Sequence, residues 1–425
     1  MRRFIALSLL LALALSACGT LLPPVNPSPT STPTLTPTPE PTVTAPPPPT
    51  PGGPRTLVLW LPPQFDPNAG APAGELLKSR LDRFASENPE ITIEIRIKAA
   101  SGPSNLLEAL TATSRAAPDA LPDLVALPRP DLEAAAALSL LRPLDGLTTV
   151  LDDPDWYAFA GQMAHIQNTA YGLPFAGDAL VLAYHPSQVT LEADAGWTQI
   201  RDLGASLAFP AADPQALVSL GLYQSSGGAL VNAEGRPSLD PAGVETLFEF
   251  YAQASASGLM PVTDTQFQTD AQSWQAYREG RAALSVTWAS QALAGASPDT
   301  SLLPLPGLDS QPFTLAAGWS WAVTSTDAEQ QALAARLAEF LVDSAFLAEW
   351  TAAAGYLPPR PNSLPLWKDR PSQALAAQVL ESAQLVPSQE IMLALGPLMQ
   401  EAVVGILQGQ ITAPEAVQGV IEQLE

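Results

Sequence analysis

In the first part of the folded chain, segments with the apolar pattern of a strand alternate with segments that have the apolar spacing of a helix. The run Thr56–Leu61 is almost wholly apolar and predicts a buried strand, and large apolar residues at helical spacing predict a helix over Glu75–Asn88. Four isoleucines alternate with polar residues over Ile91–Ile97, which is typical of a strand with one buried face. A helix over Asn105–Arg115 and a third strand over Leu124–Leu127 follow. This alternation predicts an α/β fold with a parallel sheet covered by helices on both faces.

Further along the chain the pattern becomes mainly helical. The strand and helix alternation resumes over Tyr171–His185. Asp240 and Pro241 form an N-cap and first-turn pair that opens a helix with an apolar face. A second apolar face predicts a helix over Ala328–Asp343, and Thr412, with a Glu three residues later, opens the last helix as a capping box. The C-terminal quarter is therefore predicted to be largely helical.

Composition and charge exclude several classes of function. Hydrophobic residues make up 47% of the 425 residues, which is ample for a buried core. The net charge of −23 repels the phosphates of nucleic acids and argues against a polybasic membrane patch. His165 and His185 lie far apart in sequence and neither has a Cys nearby, so no zinc site is expected. Nucleophile-elbow and phosphate-loop motifs are missing from the sequence, so we expect neither a catalytic residue nor a cofactor.

The N-terminal residues resemble an export signal with a lipid attachment site. Residues 1–17 contain Arg2 and Arg3 and then about a dozen apolar residues, which suits a signal peptide and is too short for a transmembrane helix. The sequence LSAC ending at Cys18 resembles the bacterial lipobox, whose Cys is diacylated and becomes the new N-terminus. An ordinary leader with an incidental Cys is the alternative. We expect the protein on the outer face of the bacterial cell membrane, held by two acyl chains.

Residues 18–54 predict a linker between the lipidated Cys and the folded body. Of the 36 residues after Cys18, 14 are Pro and 9 are Thr. Such a composition cannot bury a core and favours extended polyproline II. At about 3.1 Å per residue the linker would reach roughly 110 Å at full extension.

The body resembles the family 1 extracellular solute-binding proteins of ABC importers, the group that includes maltose-binding protein. The resemblance begins with a strand that contains Trp60 and continues, in the family's order, over nearly the whole of residues 56–425. The segments that carry it are FASENPEITIEI (84–95), LPDLVAL (121–127), LRPLD (141–145), YGLPFAGDALVLAYH (171–185), WQAYREGRAALSVTW (274–288), LAAGWSWAVTST (315–326) and AAGYLPPR (353–360).

This resemblance implies a two-lobed periplasmic-binding-protein-like fold of type II. Lobe one would comprise residues 56–175 and 305–345, and lobe two residues 176–304 and 346–425. Parallel-rich sheets flanked by helices would form both lobes, and the ligand would bind in a hinged cleft between them.

The resemblance also implies aromatic ligand contacts, because sugar rings present C–H patches that pack on aromatic faces. Trp288 stands at the family's pocket tryptophan. Trp319 and Trp321 are two residues apart, so they would share one face of a strand near the hinge. Trp60 ends the first strand, where ligands bind in open α/β sheets, and Tyr356 lies in the later Gly/Pro turn. Ordinary core packing is the alternative for Trp60 and Trp288.

Polar contact positions follow from the same resemblance. Asp178 aligns with a carboxylate of a crossing segment that binds sugar hydroxyls, and a solvated hinge aspartate is the alternative. The other positions that match ligand contacts of the family are Gln64, Phe65, Arg129, Asp131 and Arg360. The family has Asp-Lys at the first pair and an aromatic residue where this chain has Leu127, so maltose itself is not the predicted ligand.

We therefore expect the lipid-anchored, monomeric binding component of an ABC importer for a sugar or sugar derivative, with permease subunits as partners. This function requires no catalytic residue, cofactor or metal. Two alternatives stay open from the sequence. One is a surface binding or sensor protein without a transport role on the same fold, and the other is a secreted glycosidase that uses two carboxylates.

Overall fold

The computed structural model of the protein describes residues 55–295 and 297–424. The predicted leader, Cys18 and the linker lie outside these residues. The strands are β1 Arg55–Leu61, β2 Ile91–Ile97, β3 Leu124–Pro128, β4 His165–Ile166, β5 Thr169–Ala170, β6 Leu173–Tyr184, β7 Leu207–Ala208, β8 Leu284–Trp288, β9 Ser301–Pro304, β10 Thr314–Val323 and β11 Ala383–Leu385. Nine of them form one sheet in the order β2-β1-β3-β10-β6-β8-β7, with β11 beside β10 and β9 beside β6.

Helices cover both faces of this sheet. They are α1 Pro72–Glu87, α2 Leu106–Ala116, α3 Arg129–Ala137, α4 Ala158–Ala164, α5 Trp197–Asp202, α6 Leu217–Ser225, α7 Pro241–Ala256, α8 Asp270–Arg278, α9 Ala289–Gly295, α10 Ala328–Leu341, α11 Ser344–Ala354, α12 Arg370–Ser382, α13 Gln389–Leu407 and α14 Ala413–Leu424. The predicted α/β class is thus confirmed, and so is the helical C-terminal quarter.

Local sequence signals explain where several helices begin. Asn105 caps α2 by accepting the N–H of Glu108 at 2.9 Å, and Asp240 caps α7 in the same way. Thr412 and Glu415 exchange hydrogen bonds before α14, so the predicted capping box is confirmed.

The sheet is mixed rather than parallel throughout. β1 pairs in parallel with β2 and β3, as the alternation of strand and helix predicts. The two long strands at the centre, β6 and β10, pair antiparallel with each other, and each also pairs antiparallel with an outer strand, β8 and β3 respectively. A strand that runs from one lobe and a strand that returns to it must point in opposite directions, which accounts for the antiparallel pairs.

Two large hydrophobic clusters lie at opposite ends of the central strands and define the lobes. Leu305 and Leu315 pack in the cluster of the second lobe. Leu347 and Trp350 pack in the cluster of the first lobe. Leu305 and Leu315 thus pack with lobe two and α11 packs with lobe one, so we propose that the return crossing falls inside β10 near Gly318 rather than at residue 305.

Helix α13 is long and apolar enough to cross a membrane, but half of its most apolar window is buried. Leu395 and Met399 on α13 are fully buried in the core of lobe two. Within the described residues, α13 therefore packs as a core helix of lobe two.

Arg360, a predicted ligand contact, is instead a buried structural residue with 6% exposure. Its Nε donates to Asp155 at 3.0 Å, its Nη2 to Asp153 at 2.5 Å and its Nη1 to the carbonyl of Val342 at 3.1 Å. The guanidinium also lies 4.8 Å from the ring centroid of Trp156. Because all three nitrogens have protein partners, Arg360 joins the loop after residue 152 to the end of α10 rather than offering a free donor.

Replacing Arg360 with Met is expected to lower the free energy of unfolding by about 3–5 kcal/mol, because the substitution leaves the buried Asp155 carboxylate without its cation. Arg360→Lys should lower the free energy of unfolding by less, because Lys keeps the positive charge and loses only the planar set of guanidinium donors. Urea denaturation measures both variants. Exposed Arg370→Met is the control, and an Arg360→Met loss no larger than the control's would contradict this assignment.

Candidate functional site

Three of the predicted side chains lie in a row on one face of the central strands. The register pairs Asp178 with Ala317 and Trp288 with Leu180. Cross-strand partners point to the same face, and so do residues two apart on one strand, which adds Trp319 to this face. Diagonal neighbours in such a row lie about 7–8 Å apart. Trp288, Asp178 and Trp319 are all partly exposed, and we call this row the open face.

The opposite face of the same strands is closed by α4. A Cβ at Gly177 would lie 3.0 Å from the ring of Phe159, and one at Gly318 would lie 2.2 Å from the carbonyl of Ala176. Glycine at these two positions lets the crossing strands and α4 approach closely. The crossing strands are therefore closely covered on the α4 side and partly exposed on the open face.

Asp178 lies at the centre of the open face and is already hydrogen-bonded. Its carboxylate accepts the backbone N–H of Ala179 and of Ser290, each at 2.9 Å, and the Ser290 hydroxyl at 2.5 Å. Burial raises the pKa of Asp178 to about 6, against the lowering effect of these hydrogen bonds. The carboxylate keeps acceptor capacity for a ligand hydroxyl, since a carboxylate has about four lone-pair sites.

Two further aspartates, which the sequence did not indicate, lie in this region: Asp270 feels the charge of Asp178, and Asp213 acts in turn on Asp270. Burial raises the pKa of Asp270 to about 7; Thr287 donates to its carboxylate at 3.1 Å, and the charges of Asp178 and Asp213 add to the rise. Burial also raises the pKa of Asp213. In the described part of the chain, no group of three or more His, Cys, Asp or Glu side chains is arranged to hold a metal ion. The carboxylates of Asp270 and Asp213 are further hydrogen-bond acceptors in this region.

An aromatic cluster forms the lobe-one side of the open face. Phe65 lies at its centre, with ring centroids 5.1 Å from Trp319, 5.7 Å from Tyr356 and 5.4 Å from Trp350. Phe65 itself is buried, whereas Trp319 and Tyr356 are partly exposed. Burial and the charge of Asp178 raise the pKa of the Tyr356 hydroxyl, so Tyr356 lies close to Asp178. Phe65 therefore supports two aromatic side chains that reach the open face.

Three other predicted contacts are not part of the row that forms the open face. Trp60 is 2% exposed and packs in the core of lobe one, with the ammonium of Lys98 4.4 Å from its ring centroid. Trp321 is equally buried and stacks on Phe175 at 4.4 Å. The pairing of β10 with β6 shifts register between residues 319 and 320, so Trp319 and Trp321 have different surroundings although they are two residues apart. Gln64 is exposed in the loop after β1.

Arg129 is engaged by the protein, and its partner Glu133 connects α3 to α13 of lobe two. Its Nε binds Glu133 at 2.7 Å, and its Nη1 donates to the carbonyl of Met163 at 2.7 Å. The second oxygen of Glu133 accepts the N–H of Gln389 at 3.1 Å, at the start of α13 in lobe two. Asp131 is partly buried, which raises its pKa. Arg129 and Glu133 therefore hold α3 against α13.

Comparison with known proteins agrees with this architecture. Residues 79–376 match the model of the family described as bacterial extracellular solute-binding protein. The solved structure of a cyclic α-maltosyl-1,6-maltose binding protein from Arthrobacter globiformis superposes with a TM-score of 0.72 at 15% identity, covering 88% of this chain and 98% of that one. No protein in a collection of curated sequences matches.

Two further solved structures share the fold. The maltodextrin binding protein MalE1 from L. casei BL23 has a TM-score of 0.69 at 17% identity, with 87% of this chain and 98% of that chain covered. The sugar-binding protein MalE from Xanthomonas citri has a TM-score of 0.68 at 19% identity, with 87% and 96% covered. The two lobes, the crossing strands and the family match over most of the chain lead to one conclusion: the chain belongs to the bacterial extracellular solute-binding protein family, whose members bind solutes and are not enzymes.

Proposed function

We propose that this protein is the lipid-anchored, monomeric substrate-binding component of an ABC importer, and that its ligand is a sugar or sugar derivative. The family places the protein outside the cytoplasm. The lipid anchor at Cys18, the sugar ligand and the permease partners go beyond the family match and belong to the proposal.

The row Trp288, Asp178 and Trp319 is the observation that carries the proposal. Two partly exposed indoles stand on either side of a partly buried carboxylate on one face. Aromatic faces suit the C–H patches of a sugar ring, and a carboxylate suits its hydroxyl donors. The solved structures with this fold are described as binding cyclic maltosyl-maltose, maltodextrin and sugar, which supports the same class of ligand.

Closure about the central strands is the proposed binding motion. Trp319 and Tyr356 pack with the cluster of lobe one, whereas Trp288 packs with the cluster of lobe two. A ligand that touches both sides gains contacts only when the lobes come together, so it shifts the population toward the closed form.

A thermal-shift screen of the purified protein against sugars, polyols, amino acids and short peptides tests the proposed ligand class. A ligand that binds only the folded state raises the melting temperature by mass action. We expect at least one carbohydrate to raise it, with calorimetry then giving a saturable isotherm and no product formed. Stabilisation by peptides or amino acids alone would reject the proposal.

The affinity for such a sugar should rise as the pH increases through about 6, the pKa of Asp178. Only the ionised carboxylate accepts hydroxyl protons with all its lone pairs. Asp178→Asn should remove this pH dependence and weaken binding at pH 7.5 by about 1.5–3 kcal/mol, since hydrogen bonds to charged groups contribute this much. Calorimetry at pH 5, 6, 7 and 8 measures both effects.

Exposed Asp119→Asn is the control for this titration and should keep the wild-type profile. A dependence that remains in Asp178→Asn and lies near pH 7 would belong to Asp270, whose pKa is about 7. An affinity that neither pH nor Asp178→Asn changes would remove Asp178 from the site.

Truncating either indole of the open face should weaken binding. Trp288→Ala and Trp319→Ala are each expected to cost about 1–2 kcal/mol, or roughly 5- to 30-fold in Kd, through lost packing against the sugar. The Phe substitution at each position keeps an aromatic face and should recover much of the affinity. Equal affinity of wild type and both Ala variants, with unfolding curves that show folded protein, would contradict the proposed site.

Cys18→Ser should release the protein from the membrane fraction of a bacterial host, because no sulfur remains for acylation. Fractionation followed by immunoblotting measures this, with Ser16→Thr as the matched control that keeps the Cys. Persistence of Cys18→Ser in the membrane fraction would contradict the lipid anchor.

A further inference from the structure

The two oxygens of the Asp178 carboxylate have different partners. Oδ1 accepts the backbone N–H of Ala179 and of Ser290, each at 2.9 Å. Within the described residues, Oδ2 accepts only the hydroxyl of Ser290, at 2.5 Å. A carboxylate has about four lone-pair sites, two on each oxygen, so both sites of Oδ1 are filled and one site of Oδ2 is free. Oδ2 is therefore the oxygen with capacity for a ligand hydroxyl, and the Ser290 hydroxyl is its protein partner.

Ser290 belongs to the short segment that joins β8 to α9. Trp288 of the open face ends β8, and Ser290 follows two residues later in the first turn of α9. On the other side of Trp288, the hydroxyl of Thr287 donates to Asp270 at 3.1 Å. Four consecutive residues thus carry one indole of the open face and a hydroxyl donor for each of two carboxylates.

The hydrogen bonds of Ser290 oppose the effect of burial on Asp178. Burial raises the pKa of Asp178 to about 6, and the hydrogen bonds from Ser290 and Ala179 lower it. A charged oxygen withdrawn from water is costly when it has no hydrogen-bond donor, so the carboxylate then takes up a proton more readily. Loss of the Ser290 hydroxyl would leave Oδ2 without a protein donor and would raise the pKa of Asp178 further.

The other titratable groups near Asp178 do not replace this donor. Asp270 of α8 carries a like charge, which disfavours the ionised form of each of the two carboxylates. Burial raises the pKa of the Tyr356 hydroxyl, so Tyr356 is neutral in the range where Asp178 titrates. Among the described residues, no Lys or Arg forms an ion pair with Asp178. The ionised carboxylate therefore depends on its hydrogen-bond donors.

We propose that Ser290 is a positioning residue of the ligand site, whose hydroxyl holds Oδ2 of Asp178 as a charged acceptor for one ligand hydroxyl. This inference rests on the proposed sugar-binding function and extends it from Asp178 to the residue that holds the carboxylate. Ser290 acts through Asp178 and makes no contact of its own with the sugar.

Carboxyl-carbon NMR of the protein labelled at aspartate tests the first step without a ligand, with Asp178→Asn identifying the Asp178 signal. In the wild type this signal should titrate near pH 6. In Ser290→Ala it should titrate at a higher pH, because Oδ2 has lost its donor. Ser290→Thr keeps the hydroxyl and should restore the wild-type titration, and exposed Ser257→Ala of lobe two is the control. An Asp178 titration that Ser290→Ala leaves unchanged would overturn the inference.

Calorimetry with the carbohydrate that gives the largest thermal shift tests the second step. Ser290→Ala should weaken binding at least about threefold at pH 6 and by less at pH 8, where Asp178 is ionised in a larger fraction of the molecules. In the Asp178→Asn background the same substitution should change the affinity by less than about twofold, because its effect passes through Asp178.

An equal loss of affinity in both backgrounds would show that Ser290 contacts the sugar itself and would overturn the positioning role while leaving sugar binding intact. Failure of every carbohydrate to bind would overturn the proposed function and, with it, the role of Ser290 toward the ligand. The NMR titration separates these failures, since it reports on Ser290 and Asp178 alone.

Discussion

The antiparallel pairing of β6 with β10 is the constraint on which the rest of the structure depends. These strands, of 12 and 10 residues, run through both lobes, and their register puts Asp178 opposite Ala317. A shift of β6 by one residue would turn Asp178 toward α4 and Gly177 toward the open face. The close approach at Gly177 and Gly318 opposes such a shift, because any side chain there would meet backbone or the ring of Phe159. The register therefore determines which side chains lie on the open face, and the proposed binding face and the proposed hinge both depend on it.

The electrostatics of the cleft follow from the same placement. Asp178 and Asp270 have raised pKa values mainly because they are withdrawn from water, and within the described residues neither forms an ion pair with Lys or Arg. By contrast, the arginines at the predicted contact positions are occupied, Arg129 by Glu133 and Arg360 by Asp155. The cationic groups hold the architecture, and the carboxylates remain available to hydroxyl donors. This separation supports the proposal of a neutral polyhydroxylated ligand rather than an anionic one.

Sequence reasoning predicted those features that depend on local pattern or on the order of motifs. Periodicity and capping residues predicted the strands and helices of the first lobe. The family resemblance named Trp288, Asp178 and Trp319 as candidate ligand contacts, and the structure has all three on one face. Sequence reasoning could not show which side chains would be paired with residues far away in the chain. The sequence shows an arginine at position 360, but it does not show that the buried Asp155 pairs with it. Asp213 and Asp270 have the sequence surroundings of an ordinary loop residue and an ordinary residue at a helix start.

A crystal structure of the protein with the most stabilising carbohydrate from the screen tests the central claim most directly. The account predicts a ligand on the open face, with a hydroxyl within hydrogen-bond distance of Asp178, a ring packed on Trp288 or Trp319, and the lobes closed around it. A carbohydrate bound elsewhere on the surface, with the space beside Asp178 filled only by water, would contradict the account.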